Sequence, residues 1–255
     1  MDTEFTTQNG GEPSFHEQEK LHVKRARRTF SRYFLGLFVY VLNANLLLVA
    51  AEIVSAFLLG AEKTTELFNM PVVILGSQVL FSYIIGLGLF YLIVRTMPTE
   101  KRWVSATPAS DLGVYYLIGM GLMQVGSLIG TGVKSLLTLL TGQEITDSTS
   151  DLISEAPIWL IFLVVVIFAP LVEELLFRKL LLDRISFYGD RLALVVSAVS
   201  FGIFHGNFSQ VFYATLVGFL LAYVYLRSGR LRDCYLIHAA INFTGSILPM
   251  VLQKA

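Results

Sequence analysis

Six side chains suited to acid–base chemistry or to stabilising charge follow one another in the last third of a chain that is otherwise strongly apolar. They are Glu173, Glu174, Arg178, His205, His238 and Asn242. Fifteen uncharged residues, 158–172, precede the two glutamates. Because an ionised side chain at bilayer depth costs roughly 2.5–3.5 kcal/mol on insertion scales, two adjacent carboxylates in such surroundings indicate a functional site.

Spacing along the helix predicts how the two acids divide their contacts. Glu174 and Arg178 are four residues apart, so they share a helix face and can form an ion pair. Glu173 points about 100° away from Glu174 and must face a different neighbour. Pro170 is expected to loosen or kink the helix and to free backbone groups beside the acids. The structural alternative is a buried ion network that only ties helices together.

The histidines add a possible base and a possible pair of donors. His205 shares a helix face with Phe201, four residues earlier, and His238 shares a face with Asn242. Two donors held on one face can stabilise a developing oxyanion, although interhelical hydrogen bonds of this kind also serve only to join helices. With a rise of about 1.5 Å per residue and with helices that tilt in the membrane, the acids and both histidines can meet at similar depth, which favours one shared cavity.

The composition is that of a membrane protein. Of 255 residues 55% are hydrophobic and 15% are charged, and the mean hydropathy is +0.66. Several membrane-spanning helices are therefore expected. Nineteen basic and nineteen acidic residues balance, so charge gives no argument for a nucleic-acid partner. The single cysteine, Cys234, excludes an internal disulfide and any multi-cysteine metal site.

Apolar segments separated by polar loops predict an all-α, polytopic membrane helix bundle. The segments cover residues 33–60, 71–94, 112–140, 156–182, 191–205, 209–226 and 233–251. We therefore expect about seven transmembrane helices, within a range of about six to eight, and an active site between the later helices. The last three segments are shorter and more polar, as expected for helices that line a cavity rather than face lipid.

The loops predict both domain organisation and orientation. Residues 1–32 are expected to form a disordered, basic, cytoplasmic tail, residues 33–150 the N-terminal transmembrane helices, and residues 151–255 the catalytic helix core. Basic and acidic loops alternate along the chain. By the positive-inside rule, the N-terminus is then cytoplasmic and the short C-terminal tail lies outside.

Three motifs in a fixed order carry a resemblance to a known family. They are Glu-Glu-x-x-x-Arg at 173–178, Phe-x-x-x-His at 201–205 and His-x-x-x-Asn at 238–242. This set resembles the CPBP family, the CAAX proteases and bacteriocin-processing enzymes that are also called the Abi family. The likeness covers about residues 155–245, and the chain looks more like the bacterial members than like the eukaryotic ones. The resemblance implies an intramembrane endopeptidase of the bacterial plasma membrane.

The resemblance also implies a role for each site residue. Glu173, helped by His205, would deprotonate a water molecule, and His238 with Asn242 would stabilise the tetrahedral oxyanion. Arg178, paired with Glu174, would fix the helix. The expected substrate is a peptide bond of a membrane-associated protein or peptide, in CAAX-type or in leader or signal-peptide processing. The lipid bilayer is the other expected partner, nucleic acid is not, and the oligomeric state is not predicted.

No cofactor is predicted, and zinc is the alternative left open. If zinc is bound, Glu173, His205 and His238 would supply two imidazoles and one carboxylate, which is a ligand set of catalytic zinc sites. No His-Glu-x-x-His helix is present, and a glutamate-activated water without metal is preferred.

Two other functions would use the same residues differently. In a non-catalytic membrane scaffold or binding protein, the polar groups would form only a structural network. In a small-solute transporter, Glu173 and His205 would relay protons, but the chain shows no inverted repeat.

Overall fold

The computed structural model describes residues 14–100, 103–145 and 148–252, and within these ranges the chain folds into nine helices without any strand. We number them α1 (Phe15–Leu59), α2 (Ala61–Phe68), α3 (Pro71–Val94), α4 (Ala109–Thr141), α5 (Ser148–Glu155), α6 (Ile158–Tyr188), α7 (Asp190–Phe204), α8 (Phe208–Ser228) and α9 (Leu231–Leu252). The predicted all-α, polytopic helix bundle is confirmed.

Six of the described helices are long and apolar enough to cross a membrane: α1, α3, α4, α6, α8 and α9. Helix α7 has 15 residues, fewer than the roughly 20 that span a bilayer, and it packs along α8 through one face, while Val195 and Ile203 on its other side are 47% and 64% exposed. It corresponds to the fifth predicted segment, so the arrangement agrees with about seven membrane segments. The protein is an integral membrane protein.

The first helix begins earlier than the sequence suggested. Ser14 and Glu17 form a capping box, in which the backbone N–H of Ser14 donates to Glu17 Oε2 at 2.8 Å. Residues 15–32 contain neither Gly nor Pro, so the helix continues without interruption into the first apolar segment. The expected disorder is therefore wrong for residues 15–32, while residues 1–13 of the expected tail lie outside the described residues.

Two connections that were expected to be loops contain short helices. Gly60, at φ +88°, ends α1 and lets the chain turn directly into α2, where the hydroxyls of Ser55 and Thr64 lie 3.0 Å apart. Helix α5 stands between α4 and α6, and Pro157 separates it from α6. These helices reverse the chain between spans without adding a crossing.

Helix α6 is the centre of the bundle. Leu176, Phe177 and Leu181 on this helix are completely buried, whereas Phe38 and Phe57 on α1 are 62% and 89% exposed. Apolar side chains that point outward on long helices are suited to contact acyl chains. Polar side chains on α6 are thus held inside the protein rather than in lipid.

Candidate active site

A π-helical stretch in α6, Phe162–Phe168, leaves a backbone carbonyl without an intrahelical donor near the two acids. The N–H of Ala169 donates to the carbonyl of Val164, five residues earlier. The next hydrogen bond of this five-residue pattern would join the nitrogen of Pro170 to the carbonyl of Val165, but the proline nitrogen carries no hydrogen to donate. The side-chain Nδ2 of Asn242 on α9 donates to that carbonyl at 3.0 Å. The backbone group expected to be freed by Pro170 therefore exists and anchors α9 to α6.

The two glutamates contact opposite nitrogens of one imidazole. Glu174 is fully buried, and its Oε2 lies 3.2 Å from Nε of Arg178, which is the ion pair that the spacing predicted. Its other oxygen, Oε1, lies 2.8 Å from Nδ1 of His238. Oε2 of Glu173 lies 3.7 Å from Nε2 of the same ring. The acids do point in different directions, but both reach His238.

The bond to Glu174 fixes the orientation of His238. An ionised carboxylate can only accept hydrogen bonds, so Nδ1 carries the proton in this contact. The ring nitrogen Nε2 is then turned toward Glu173 and the space beside it. Such a carboxylate–imidazole pair is the usual way in which proteins hold a functional histidine in one orientation.

His205 is placed by the end of α7. Its Nδ1 lies 2.8 Å from the carbonyl of Phe201, which can only accept, so the neutral ring has its free lone pair on Nε2. Gly206, at φ +68°, ends the helix directly after it. The Phe201 ring lies between the two histidines, with centroid distances of 4.9 Å to His205 and 5.6 Å to His238.

Arg178 supports the site from behind. It is fully buried, its Nη2 donates to the carbonyl of Gly218 at 3.3 Å, and its Cζ lies 4.5 Å from the Phe201 ring centroid. A Cβ on Gly218 would lie only 3.1 Å from that ring and 3.2 Å from Ala198 on α7. A glycine is therefore what lets α8 bring its carbonyl to the guanidinium.

A cavity of about 530 Å³ brings four of the six predicted site residues together. Glu173, His205, His238 and Asn242 all line it. Glu174 and Arg178 do not line it, and instead contact the cavity residues from the protein interior. The cavity therefore holds a carboxylate, two imidazoles and an amide between helices of a membrane bundle.

Part of the cavity wall comes from the first half of the chain, where no site residue was predicted. Gln78 and Tyr83 on α3 line the cavity, as do Gln124 and Ser127 on α4. Polar side chains inside a membrane span are rare, and Gln124 and Ser127 are three residues apart on one helix face. This polar pair within an apolar span is the sequence feature that could have indicated a contribution of α4 to the cavity wall.

The three residues considered for zinc do not form a ligand group. In the part of the chain that the structure describes, no cluster of three His, Cys, Asp or Glu side chains has an arrangement that could hold a metal ion. Nδ1 of His238 is bonded to Glu174 and Nδ1 of His205 to a backbone carbonyl, which leaves Nε2 of each ring open, so it is the relative placement of the three side chains, and not their hydrogen bonds, that fails to form a ligand group. Glu173, His205 and His238 as they lie do not fit the tetrahedral zinc site considered above, and no step proposed below passes through a metal.

Comparison with known proteins finds relatives among membrane peptidases. The family model of Rce1-like proteins, the type II CAAX prenyl endopeptidases, matches residues 155–244. The "Membrane-embedded CAAX protease MroQ" of Staphylococcus aureus (strain USA300) is 30% identical over 175 residues, which cover 62% of this chain and 68% of that protein. The "Putative membrane peptidase YdiL" of Bacillus subtilis (strain 168) is 26% identical over 221 residues, covering 83% and 86%.

A helical membrane bundle with this set of motifs defines a membrane peptidase. The chain belongs to the Rce1-like CAAX endopeptidase family, and the resemblance drawn from its three motifs is confirmed. As a member it is a membrane protease, which works in a lipid bilayer on peptide substrates. No solved structure matches the chain.

Proposed function

We propose that the protein is an intramembrane endopeptidase that hydrolyses a peptide bond of a membrane-associated protein or peptide with a water molecule activated by Glu173 and His205. The observation that carries the proposal is the shared cavity, in which Glu173 Oε2 lies 3.7 Å from His238 Nε2 and His205 and Asn242 complete the lining. A general base must lie beside the water it activates, and only Glu173 of the two acids lines the cavity.

In the first step the water is held between two acceptors. One of its hydrogens is directed at the carboxylate of Glu173 and the other at Nε2 of His205, whose Nδ1 hydrogen is engaged by the Phe201 carbonyl. Glu173 takes a proton as the water oxygen adds to the peptide carbonyl carbon. The carbonyl π electrons move to oxygen, which becomes an oxyanion.

The oxyanion is stabilised by His238 and Asn242. Asn242 uses one Nδ2 hydrogen on the Val165 carbonyl and keeps the second for the cavity. His238 donates through Nε2 when both ring nitrogens carry protons, and the carboxylates of Glu173 and Glu174 are the counter-charges of that imidazolium. When the tetrahedral species collapses, the C–N bond breaks and the leaving amine takes the proton held by Glu173.

Glu174 and Arg178 act on the reaction through other residues. Glu174 orients His238 by its 2.8 Å contact to Nδ1, and Arg178 holds Glu174 while it contacts the face of Phe201. A carboxylate in this position keeps an imidazole in one tautomer and orientation during proton transfer. We therefore assign Glu174 and Arg178 as positioning residues.

The substrate is proposed from the same setting. The site lies among membrane-spanning helices, so the scissile bond must reach it within or beside the bilayer, as in CAAX-type or leader or signal-peptide processing. The relative MroQ is named as a CAAX protease, which supports the first of these. The N-terminus is proposed to be cytoplasmic in the bacterial plasma membrane. The proposed catalytic core is 151–255, with α3 and α4 contributing the cavity wall.

A comparison of membrane-derived peptides tests this function. Cells producing the wild-type protein, Glu173→Gln or Glu52→Gln are compared by mass spectrometry, with equal amounts of protein in the membrane. Glu52 lies on α1 and does not line the cavity, so it is a matched control. We expect a fragment that disappears only with Glu173→Gln. Fragments that are identical in all three strains, with only stability altered, would instead support a structural network.

A further inference from the structure

A second crevice opens at the end of the bundle that carries the basic N-terminal part of α1. It has a volume of about 750 Å³, within the usual range of small-ligand sites. Four guanidinium groups line it: those of Arg25, Arg28 and Arg32 on α1 and that of Arg184 near the end of α6. None of these residues takes part in the peptidase site. We call this feature the arginine crevice.

Two of the four arginines hold the end of α3. Nη2 of Arg32 donates to the carbonyl of Ile93 at 2.7 Å, and Nη2 of Arg184 donates to the carbonyl of Val94 at 3.1 Å. These carbonyls belong to the last turn of α3, which carries partial negative charge, and the carbonyl of Val94 also accepts from the backbone N–H of Met97 at 2.9 Å. The two arginines therefore give the crevice a fixed, positively charged wall.

The other two arginines, Arg25 and Arg28, are available for a ligand. Both are exposed, both point to the crevice from adjacent turns of α1, and neither forms an ion pair with any carboxylate among the described residues. Near them, the hydroxyls of Thr29 and Tyr188 lie 3.2 Å apart on the floor of the crevice. Guanidinium and hydroxyl groups arranged around one space are the donors that bind a phosphate.

The two acids of the crevice are already engaged. Oδ2 of Asp183 lies 2.7 Å from Lys179 Nζ, and Oδ1 accepts from the Tyr225 hydroxyl at 2.9 Å. Glu100 Oε2 accepts from the Ser186 hydroxyl at 3.0 Å. Four guanidinium groups thus face two carboxylates, and one of these carboxylates has its own lysine. The lining has an excess of positive charge and attracts an anion.

Exposed apolar side chains lie at the rim of the crevice and further along α1. Phe187 at the rim is 59% exposed, and Leu35, two turns beyond Arg28 on nearly the same helix face, is 53% exposed, with Phe38 beside it at 62%. Arg28 stands five residues before the apolar segment that starts at residue 33, about 8 Å along the helix axis. The arginines are therefore at headgroup level, with a surface suited to acyl chains directly beside them.

We propose that the arginine crevice is a binding site for an anionic phospholipid, with its phosphate between Arg25 and Arg28 and its acyl chains along the exposed apolar face of α1. Basic pockets between membrane helices bind such headgroups by the same combination of charge and apolar contact. A free phosphate would make the same polar contacts but would leave the apolar surface unused.

Lipid binding by the intact protein tests the proposal with a charge-matched control. The full-length protein is placed in phosphatidylcholine nanodiscs with or without about 20% phosphatidylglycerol, and bound lipid is measured by native mass spectrometry and by the shift in unfolding temperature. Arg25→Gln/Arg28→Gln is compared with Lys24→Gln/Arg27→Gln, which removes the same charge from α1 outside the crevice lining. All variants must unfold alike in phosphatidylcholine alone.

We expect the crevice variant to bind phosphatidylglycerol about 100-fold more weakly, since two charge-assisted hydrogen bonds to the phosphate of about 1.5 kcal/mol each are lost. The control variant loses only the general attraction of its two charges to an anionic surface and should therefore lose much less affinity. Equal losses of affinity for phosphatidylglycerol in the two variants would mean that binding depends only on general surface attraction, and this would overturn the proposal. An unchanged affinity in both variants would overturn it as well. Inorganic phosphate that stabilises the protein as strongly as the lipid does would show an ion site instead. Because lipid binding is read without catalysis, Glu173→Gln should bind like wild type whether or not the proposed peptidase mechanism holds.

Discussion

The first and second halves of this bundle use similar apolar helices for different purposes. In the most apolar stretch of α1 and of α4 only 11% of residues are buried within the protein, against 56% in α6 and 44% in α8. The first half therefore gives most of its surface to lipid, and the second half forms the core that carries the motifs. The difference shows why the acids lie on α6, where neighbouring helices can supply partners to groups that lipid cannot solvate.

Two asparagines, one in each half of the bundle, form the same kind of hydrogen bond and can be compared directly. Asn43 on α1 donates to the carbonyl of Phe81, inside the π-helical stretch of α3, at 3.1 Å. Asn242 on α9 donates to the carbonyl of Val165, inside a π-helical stretch of α6, at 3.0 Å. Both amides satisfy a backbone group of another helix. Only Asn242 also lines the cavity. Asn43 therefore has a structural role alone, whereas Asn242 has the same structural role and a proposed catalytic one.

The largest effect is expected for His205, the histidine that lines the cavity beside Glu173. His205→Ala should lower the cleavage rate by about 10²–10⁴-fold, because it removes a side chain that holds and helps to deprotonate the water. His16→Ala, at an exposed position near the start of α1, is the control and should leave the rate unchanged. Rates of the two variants in the same membranes give the measurement. Equal rates would remove His205 from the mechanism.

Breaking the buried ion pair should affect stability as well as rate. Arg178→Met leaves the Glu174 carboxylate buried beside a single imidazole, and we expect a loss of about 3–5 kcal/mol in the free energy of unfolding. Lys63→Met removes an exposed charge from α2, one without an ion-pair partner among the described residues, and should change the same free energy by at most about 0.5 kcal/mol. Thermal or denaturant unfolding in detergent measures both. A stability of Arg178→Met within 1 kcal/mol of wild type would argue against the pair as the support of the site.

The two asparagines should separate stability from catalysis. Asn242→Ala and Asn43→Ala each leave one carbonyl without its partner, so each should destabilise the fold by about 1–3 kcal/mol. Only Asn242→Ala should also lower kcat, by about 10²-fold or more, through the loss of an oxyanion donor. Unfolding and steady-state kinetics on the same samples provide the test. An equal kcat in both variants would leave Asn242 with a structural role alone.

The smallest effect is expected in the cavity wall from the first half. Gln124→Leu should raise KM by less than about tenfold and leave kcat nearly unchanged, because a wall residue contributes to binding in ground and transition states alike. Leu128→Ala, on the same helix but 73% exposed on its outer side, is the control. A large fall in kcat would instead give α4 a part in the chemistry.

Much of this fold and site follows from local patterns in the chain. Apolar runs predicted the long helices, and the four-residue spacing predicted the Glu174–Arg178 pair. The helical state of residues 15–32 depends on the continuation of a helix from its capping box, which polar composition conceals. The bond from Asn242 to Val165 joins residues 77 positions apart, so only the tertiary packing of α9 on α6 could reveal it.

The central claim is that Glu173 acts on the water while Glu174 acts through His238. The most direct measurement is single-turnover cleavage of one identified peptide by purified wild-type, Glu173→Gln and Glu52→Gln protein in lipid, with unfolding temperatures recorded alongside. We predict that Glu173→Gln cleaves at least about 10²-fold more slowly while it unfolds near the wild-type temperature, and that Glu52→Gln retains full activity. Wild-type rates from folded Glu173→Gln protein would contradict the account.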